Sequence, residues 1–264
     1  MQHLTRRHAL CALAALFGGQ HAHAQTSVQG GPDSTPEPTS SFGGKQKVTL
    51  GRPTTFEAHP WHVELIIDGQ VCGGTVIGKR WILTAAHCLE GATVDQVQAF
   101  VRGGHSLDVK QLIPHEKYND KTLEHDVALV RVHSTRPAVA IRLATPRTHI
   151  RIGEDLTVTG KGATGYKGEP SDELLEGKVP YVDNKTCSRK YKRIRIFPGN
   201  MCAGTESGWT DACQGDSGGP LTKGHGKNAI LVGIVSHGHK CGKTYGVYTR
   251  VSSYHEWIMN RIGD

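Results

Sequence analysis

The sequence has no hydrophobic run long enough to cross a membrane. Its apolar stretch at residues 9–17 falls well short of the roughly 20 residues that a transmembrane helix needs, and no later segment is longer. Aromatic residues are scarce, at 6%. Lys and Arg outnumber Asp and Glu by 31 to 24, a formal net charge of +7, but no stacking aromatics accompany the basic charge. The composition therefore does not indicate a nucleic-acid-binding protein.

Closely spaced cysteine pairs are also lacking. There is no Cys-x-x-Cys motif, which argues against a zinc site, the rival use of these residues. One of the seven cysteines, Cys11, lies in the amino-terminal segment considered next. An even number then remains, which predicts disulfide bonds in an exported chain while leaving their pairing open. The remaining residues are Cys72, Cys88, Cys187, Cys202, Cys213 and Cys241.

The amino-terminal segment has the features of a secretory signal. Arg6 and Arg7 supply a positive charge, residues 9–17 supply an apolar stretch, and the sequence AHA at 22–24 supplies a small-x-small cleavage site. A twin-arginine export signal is a weaker alternative. That route carries proteins that have already folded in the cytoplasm, whereas disulfides of this chain would have to form outside it. We therefore predict a signal peptide at 1–24 and a secreted protein, extracellular or periplasmic. Residues 25–47 are rich in Gly, Pro, Ser and Thr, which predicts a flexible propeptide.

Beyond residue 48, short strand-like runs alternate with glycine-containing breaks, which favours an all-β barrel or sandwich. Only the carboxyl-terminal end has helical periodicity, with Val251, Tyr254, Ile258 and Ile262 three or four residues apart. The predicted strands cover residues 61–67, 71–77, 81–85, 127–132, 156–159, 230–236 and 247–250.

Three short motifs contain residues suited to nucleophilic catalysis. Ser217 lies among glycines in GDSGGP (215–220), His87 lies in TAAHC (84–88), and Asp126 lies in HDVAL (125–129). A serine hydroxyl is a poor nucleophile at neutral pH, so it needs a base to take its proton, and an aspartate can orient that base. The order His, Asp, Ser is one of the known orders of such a triad.

With these motifs the chain from residue 48 to 264 resembles the chymotrypsin-family (trypsin-like) serine proteases. The resemblance implies an all-β fold of two antiparallel β-barrels, with the active-site cleft between them and a C-terminal α-helix. His87 and Asp126 would belong to the first barrel and Ser217 to the second. The backbone N–H groups of Gly215 and Ser217 would form the oxyanion hole. The implied disulfides are Cys72–Cys88, Cys187–Cys202 and Cys213–Cys241.

The resemblance also implies a specificity pocket. Asp211 lies six residues before Ser217, where trypsin-like enzymes have the carboxylate at the pocket floor that pairs with a substrate Arg or Lys. Ala212 follows where many trypsins carry serine, which predicts a preference for Arg over Lys, because the arginine fork depends less on that hydroxyl. The pocket walls would include Ser236, Gly238 and Gly246.

Activation would require proteolytic cleavage. Counting back from the Pro-Trp pair at 60–61 places the mature start at Val48, after Lys47. In this family the freed amine pairs with the aspartate beside the catalytic serine, here Asp216. A basic residue followed by valine fits the family pattern, whereas Thr49 and Leu50 depart from it.

The sequence departs from the family in the cleft. His237 stands where tryptophan is usual and Lys161 replaces another tryptophan, so the family's extended subsite preferences do not transfer. We predict that His237 and His239 face solvent rather than bind an inhibitory metal. Residues 102–113 lack the acidic loop that binds calcium in many trypsins. We therefore predict no required metal and no cofactor.

A basic run within residues 185–195 is interpreted as a solvated face, with docking of a polyanion as the alternative. It comprises Lys185, Arg189, Lys190, Lys192, Arg193 and Arg195.

The sequence thus predicts a secreted serine endopeptidase, made as a zymogen, that cleaves after Arg and less readily after Lys through an acyl-enzyme. Its partners would be protein or peptide substrates, together with protein inhibitors. One alternative is a catalytically weak homologue that acts as a binding module. Another is a narrow processing protease that depends on the basic run and the unusual cleft walls.

Overall fold

Short β-strands make up most of the structure, a computed structural model that describes residues 51–162, 169–191, 194–206, 216–238 and 244–263. The described residues also form two α-helices, α1 (Asn184–Ser188) and α2 (His255–Ile262). In chain order the strands are β1 (Arg52–Pro53), β2 (His62–Ile67), β3 (Gln70–Gly78), β4 (Trp81–Thr84), β5 (Val97–Val101), β6 (His105–Leu107), β7 (Val109–Pro114), β8 (Ala128–Val132), β9 (Arg142–Leu143), β10 (Asp155–Gly160), β11 (Leu175–Val182), β12 (Asn200–Ala203), β13 (Pro220–Lys223), β14 (Ile230–His237) and β15 (Gly246–Arg250).

The strands form two sheets, the first from strands within residues 62–132 and the second from the later strands together with β1. The first is antiparallel and has the order β6-β5-β2-β3-β4-β8-β7, curled into a half-barrel. The second runs β1-β11-β10-β13-β14-β15-β12, and a further pairing of β11 with β12 closes six of its strands into a barrel. The predicted all-β fold of two antiparallel barrels with a C-terminal helix is confirmed.

The predicted strands coincide with strands of the structure, and their ends differ by at most one residue. Sequence reasoning missed β11 and β12, among others. The burial of β11 alternates only over its first five residues, and the strand contains Glu, Gly, Lys and Pro, which are poor strand formers in isolation. Its place in the barrel comes from its antiparallel partners on both sides, which a local pattern cannot reveal.

The helices differ from the prediction in two ways: α2 is shorter than its periodicity indicates, and α1 was not predicted. The C-terminal helix begins only at His255, because residues 251–253 form a 3-10 turn before it. The prediction that only this end is helical was wrong, since α1 is a second helix. The side chain of Asp183 caps α1 by accepting a hydrogen bond from the Thr186 N–H at 2.9 Å, and this local bond favours a helical turn. A disulfide from Cys187 on α1 to Cys202 holds the helix against β12.

The two sheets meet through closely packed backbone. The N–H of Gly73 on β3 donates to the carbonyl oxygen of Ser217 at 2.7 Å. A Cβ at Gly73 would lie 2.6 Å from the Gly219 Cα, so only glycine fits there. A buried histidine, His62, adds a 3.1 Å hydrogen bond between its Nδ1 and Thr159 Oγ1 of the second sheet. This junction fixes how the loops of one sheet face those of the other.

In the described parts of the chain, no helix combines the length and apolar character needed to span a membrane.

The junction generates a test of stability. We expect Gly73→Ala to lower the free energy of unfolding by about 1–3 kcal/mol, because the new methyl group meets backbone that cannot rotate away. Gly78 lies on the same strand, and a Cβ there would have its closest contact, at 3.6 Å, with the Trp81 side chain. Gly78→Ala is therefore the matched control and should change stability by no more than about 0.5 kcal/mol. Urea denaturation followed by tryptophan fluorescence measures both, and equal losses would contradict the account.

Candidate active site

His87 is held in a short 3-10 turn that follows β4. The preceding Ala85 and Ala86 are buried, which anchors the turn in the core of the first sheet. The next residue, Cys88, forms a disulfide with Cys72 on β3, as the sequence resemblance implies. The imidazole is therefore fixed at its root, while its side chain stays 23% exposed to the cleft.

Asp126 is completely buried, and its carboxylate accepts hydrogen bonds from both halves of the molecule. Oδ1 accepts from the His87 backbone N–H at 2.9 Å, and Oδ2 lies 2.8 Å from the His87 Nδ1. Oδ2 also accepts from the Ser236 hydroxyl on β14 at 2.5 Å. The carbonyl oxygen of Asp126 accepts from Thr249 Oγ1 on β15 at 2.6 Å. A buried carboxylate needs this many donors to remain charged.

The pKa values of the pair reflect this arrangement. Burial alone would raise the pKa of Asp126, but the hydrogen bonds and charge of His87 together with the Ser236 hydrogen bond hold it below its ordinary value. Burial alone would lower the pKa of His87, and the hydrogen bond and charge of Asp126 outweigh that effect and raise it. A neutral His87 therefore carries its proton on Nδ1, facing Asp126, and its Nε2 keeps its lone pair, since the Cys88 Sγ at 3.7 Å is in a disulfide and has no proton to donate.

Ser217 enters the same cleft from the second half of the chain. It lies in a tight turn in which the Gly219 N–H donates to the Asp216 carbonyl oxygen at 2.8 Å and Gly218 has a φ of 78°. Ser217 and His87 both line a cleft of about 350 Å³, which also borders the Cys72–Cys88 disulfide. Folding thus brings together the three predicted residues from distant parts of the sequence.

Asp216, the predicted partner of the new amino terminus, is also fully buried. Its Oδ1 accepts from the Gly162 N–H at 2.8 Å. A Cβ at Gly160 would lie 1.9 Å from that oxygen, and one at Gly162 would lie 2.5 Å from the Asp216 Cγ. Glycine is therefore required on both sides of Lys161 to admit the carboxylate. Lys47 and Val48 lie outside the described residues.

Some residues of the predicted specificity pocket can be located. Gly238 follows β14 and Gly246 opens β15, and these strands are paired next to each other, with His237 opposite Val247. The Ser236 side chain is directed at Asp126, a contact that sequence reasoning missed. Outside the described residues lie Asp211, Ala212, Cys213, Gly215, His239 and Cys241.

The prediction that His237 faces solvent was wrong. Its Nδ1 lies 3.0 Å from the Ser236 hydroxyl, and its Nε2 is buried. Lys161 is also engaged, since its Nζ lies 3.1 Å and 3.2 Å from the two carboxylate oxygens of Glu64 on β2. No local pattern in the sequence signals either contact. Lys161 meets Glu64 only when the two sheets dock, and His237 meets Ser236 only because its ring turns inward.

One group of potential metal ligands lies in the described part of the chain, formed by Cys72, His87 and Cys88. The two sulfur atoms are bonded to each other, so they are not thiolates that could bind a metal. This group therefore offers a single imidazole, which by itself does not make a zinc site.

Comparisons with known proteins agree with this architecture. The family model described as Trypsin matches residues 48–258. The chain is 36% identical over 220 residues to "Trypsin Blo t 3" of Blomia tropicalis, covering 76% of this chain and 81% of that protein. It is 35% identical over 271 aligned positions to "Trypsin eta" of Drosophila melanogaster, covering 96% of this chain and 95% of that protein. The chain belongs to the trypsin family and is a serine protease, a hydrolase that acts on proteins or peptides.

Proposed function

We propose that this protein is a secreted serine endopeptidase, made as a zymogen, that cleaves peptide bonds after Arg and less readily after Lys. The observation that carries the proposal is the His87–Asp126 pair, joined at 2.8 Å, in a cleft that Ser217 also lines. A neutral imidazole with its Nε2 free is the base that a serine nucleophile requires.

The reaction would proceed in two halves. Ser217 Oγ attacks the carbonyl carbon of the scissile bond while its proton passes to His87 Nε2. The tetrahedral oxyanion is stabilised by the N–H groups of Gly215 and Ser217, and its collapse expels the amine, which takes the proton from His87. Water then attacks the acyl-enzyme, with His87 again as base, and releases the acid and free Ser217. Asp126 keeps the imidazole oriented and stabilises its cation throughout.

Substitution of the three residues tests this mechanism. We expect Asp126→Asn to lower kcat by about 10⁴-fold, because an amide can donate to Nδ1 and so favours the wrong tautomer. We expect Ser217→Ala to abolish turnover of peptide anilides. Steady-state kinetics on the mature enzyme measures both effects.

An active-site titrant separates an enzyme from a binding module. The wild-type protein should release a stoichiometric burst of leaving group as Ser217 is acylated, and Ser217→Ala should release none. A correctly matured wild-type protein without a burst, or undiminished proteolysis by Ser217→Ala, would refute the proposed mechanism.

We further propose that Asp211 gives the enzyme its preference for basic side chains. The support comes from its place in the sequence, six residues before Ser217, in a chain of the trypsin family. A carboxylate at the floor of an apolar slot is costly unless a cation pairs with it, and a substrate Arg or Lys provides that cation. Alanine at 212 removes a hydroxyl that would help to bind the ammonium of lysine more than the fork of arginine.

Comparison of the wild-type enzyme with the Ala212→Ser variant tests this idea, because the two proteins differ by a single hydroxyl oxygen. We expect the wild-type enzyme to favour arginine anilides over lysine anilides in kcat/KM. Ala212→Ser should narrow that ratio by about three- to tenfold, the effect of one added hydrogen bond. Equal turnover of the two substrates by the wild-type enzyme would contradict the role of Ala212.

Activation is the third part of the proposal. Cleavage after Lys47 would free the amine of Val48, and the fully buried carboxylate of Asp216 would pair with it. Secretion is supported by the signal-like amino terminus and by two disulfides, which form and persist in oxidising compartments.

The amino terminus of the active protein tests this step. Enzyme that is recovered outside the cell and reacts with the active-site titrant should have Val48 as its amino-terminal residue. The Lys47→Gln variant should remain an inactive precursor that a lysine-directed protease no longer activates. Lys45→Gln is the matched control, because it removes a nearby lysine without touching the bond. Active enzyme that begins at any other residue would contradict the assignment.

The contacts of the basic run at 185–195 favour a solvated face over a docking site for a polyanion. Lys190 forms an ion pair with Glu206, and the guanidinium of Arg195 lies 5.1 Å from the ring centroid of Phe197. These two charges therefore already have intramolecular contacts, which favours a solvated face. The proposed activity does not depend on a polyanion, and protein inhibitors would act at the same cleft as substrates.

A further inference from the structure

A second histidine is connected to Asp126. The Ser236 hydroxyl lies 2.5 Å from Asp126 Oδ2 and 3.0 Å from the Nδ1 of His237. His87, Asp126, Ser236 and His237 therefore form one continuous chain of hydrogen bonds. This chain starts in the first barrel and ends on β14 of the second.

The position of each proton in this chain follows from its donors and acceptors. A charged carboxylate can only accept, so the single proton of the Ser236 hydroxyl points to Asp126. The serine oxygen then has only lone pairs to offer His237, so the imidazole must carry its proton on Nδ1 and donate it to Ser236. The neighbours thus fix the tautomer of His237.

The surroundings keep His237 neutral. Burial, with a smaller effect from the charge of His87, lowers its pKa to about 4 against the opposing effect of Asp126. The charged groups that act on the two imidazoles are Asp126 on both and Glu90 on His87. The Nε2 of His237 is buried and has no hydrogen-bond partner among the described residues. A proton there would lack an acceptor, which agrees with the neutral form that donates through Nδ1.

We propose that His237 is a positioning residue for the catalytic carboxylate and acts through the hydroxyl of Ser236. The inference rests on the proposed function, because it takes Asp126 to be the partner of the catalytic base. A hydroxyl that accepts a hydrogen bond is a better donor in turn, since neighbouring bonds polarise one another. His237 therefore strengthens the bond from Ser236 to Asp126 and holds the hydroxyl in the orientation that makes it.

This role requires an N–H donor close to the backbone at position 237. The donating Nδ1 of histidine is attached directly to Cγ, which places it within reach of the preceding residue's side chain. The tryptophan that is usual here in the family has its one N–H further from the backbone. The substitution thus gives the carboxylate a support that the family resemblance does not predict.

Asparagine and leucine at 237 provide a matched pair, because the two side chains have nearly the same shape and only asparagine has an N–H to donate. We expect His237→Leu to have a kcat about two- to tenfold below that of His237→Asn on a small arginine ester, the effect of one lost hydrogen bond. The small ester has no residues that contact the outer cleft, so it isolates this effect from substrate binding. Active-site titration corrects both rates for folded, competent enzyme.

The pH profile gives a second readout. If the Ser236 hydroxyl donates less strongly, Asp126 keeps more of its charge and stabilises the His87 imidazolium. The pKa of His87 then rises, although kcat falls because the hydroxyl no longer holds the carboxylate in position, so the acidic limb of kcat/KM should lie at higher pH in His237→Leu than in His237→Asn. A purely structural role would lower activity without moving this limb.

A double-mutant cycle decides whether the effect passes through Ser236. In a Ser236→Ala background the difference between asparagine and leucine at 237 should disappear. His237→Phe keeps a planar ring without a donor, and it replaces the leucine variant if that one does not fold. Equal rates and pH limbs for the donor and non-donor variants, or the same difference with and without Ser236, would overturn the role of His237 alone. Retained activity in Ser217→Ala would overturn the proposed function and this inference together.

Discussion

The carboxylate of Asp126 is buried at the junction of the two barrels, and the arrangement of the site depends on keeping it charged there. Leaving such a charge without partners costs about 3–5 kcal/mol, so its donors are structural requirements. His87 supplies two of them and Ser236 a third. Because these donors come from different sheets, the oriented imidazole exists only when the two halves of the chain are docked.

The same constraint applies to a second carboxylate. Asp216 is fully buried beside the turn that carries Ser217, and it accepts from the Gly162 backbone. Space for it exists only because Gly160 and Gly162 have no side chains. Between these glycines, Lys161 reaches across to Glu64 of the first sheet, with both side chains about one-fifth exposed. The strand that supports Asp216 is thereby tied to the opposite barrel by charge as well as by packing.

Sequence reasoning succeeded where the signal is local. Alternating or continuous apolar runs marked strands such as β3 and β14, and the motif around Ser217 indicated a tight turn. It failed where the signal is distributed. The polar strand β11 pairs on both sides within the barrel. A local signal was also missed, the capping bond from Asp183 at the start of the short helix α1. It also failed for His237, whose ring turns inward to a neighbouring hydroxyl.

The sequence by itself determined which chemical groups are available and in which order they occur along the chain. Residue types, glycine positions and motif spacing are local properties, and they were sufficient to indicate a serine nucleophile, a histidine base and an acidic partner. Tertiary structure alone decided that Asp126 receives donors from both barrels and that His237 joins them through Ser236. The physical reason is that burial and hydrogen-bond partners depend on packing between parts of the chain that are distant in sequence, such as Asp126 and Ser236, whose separation is 110.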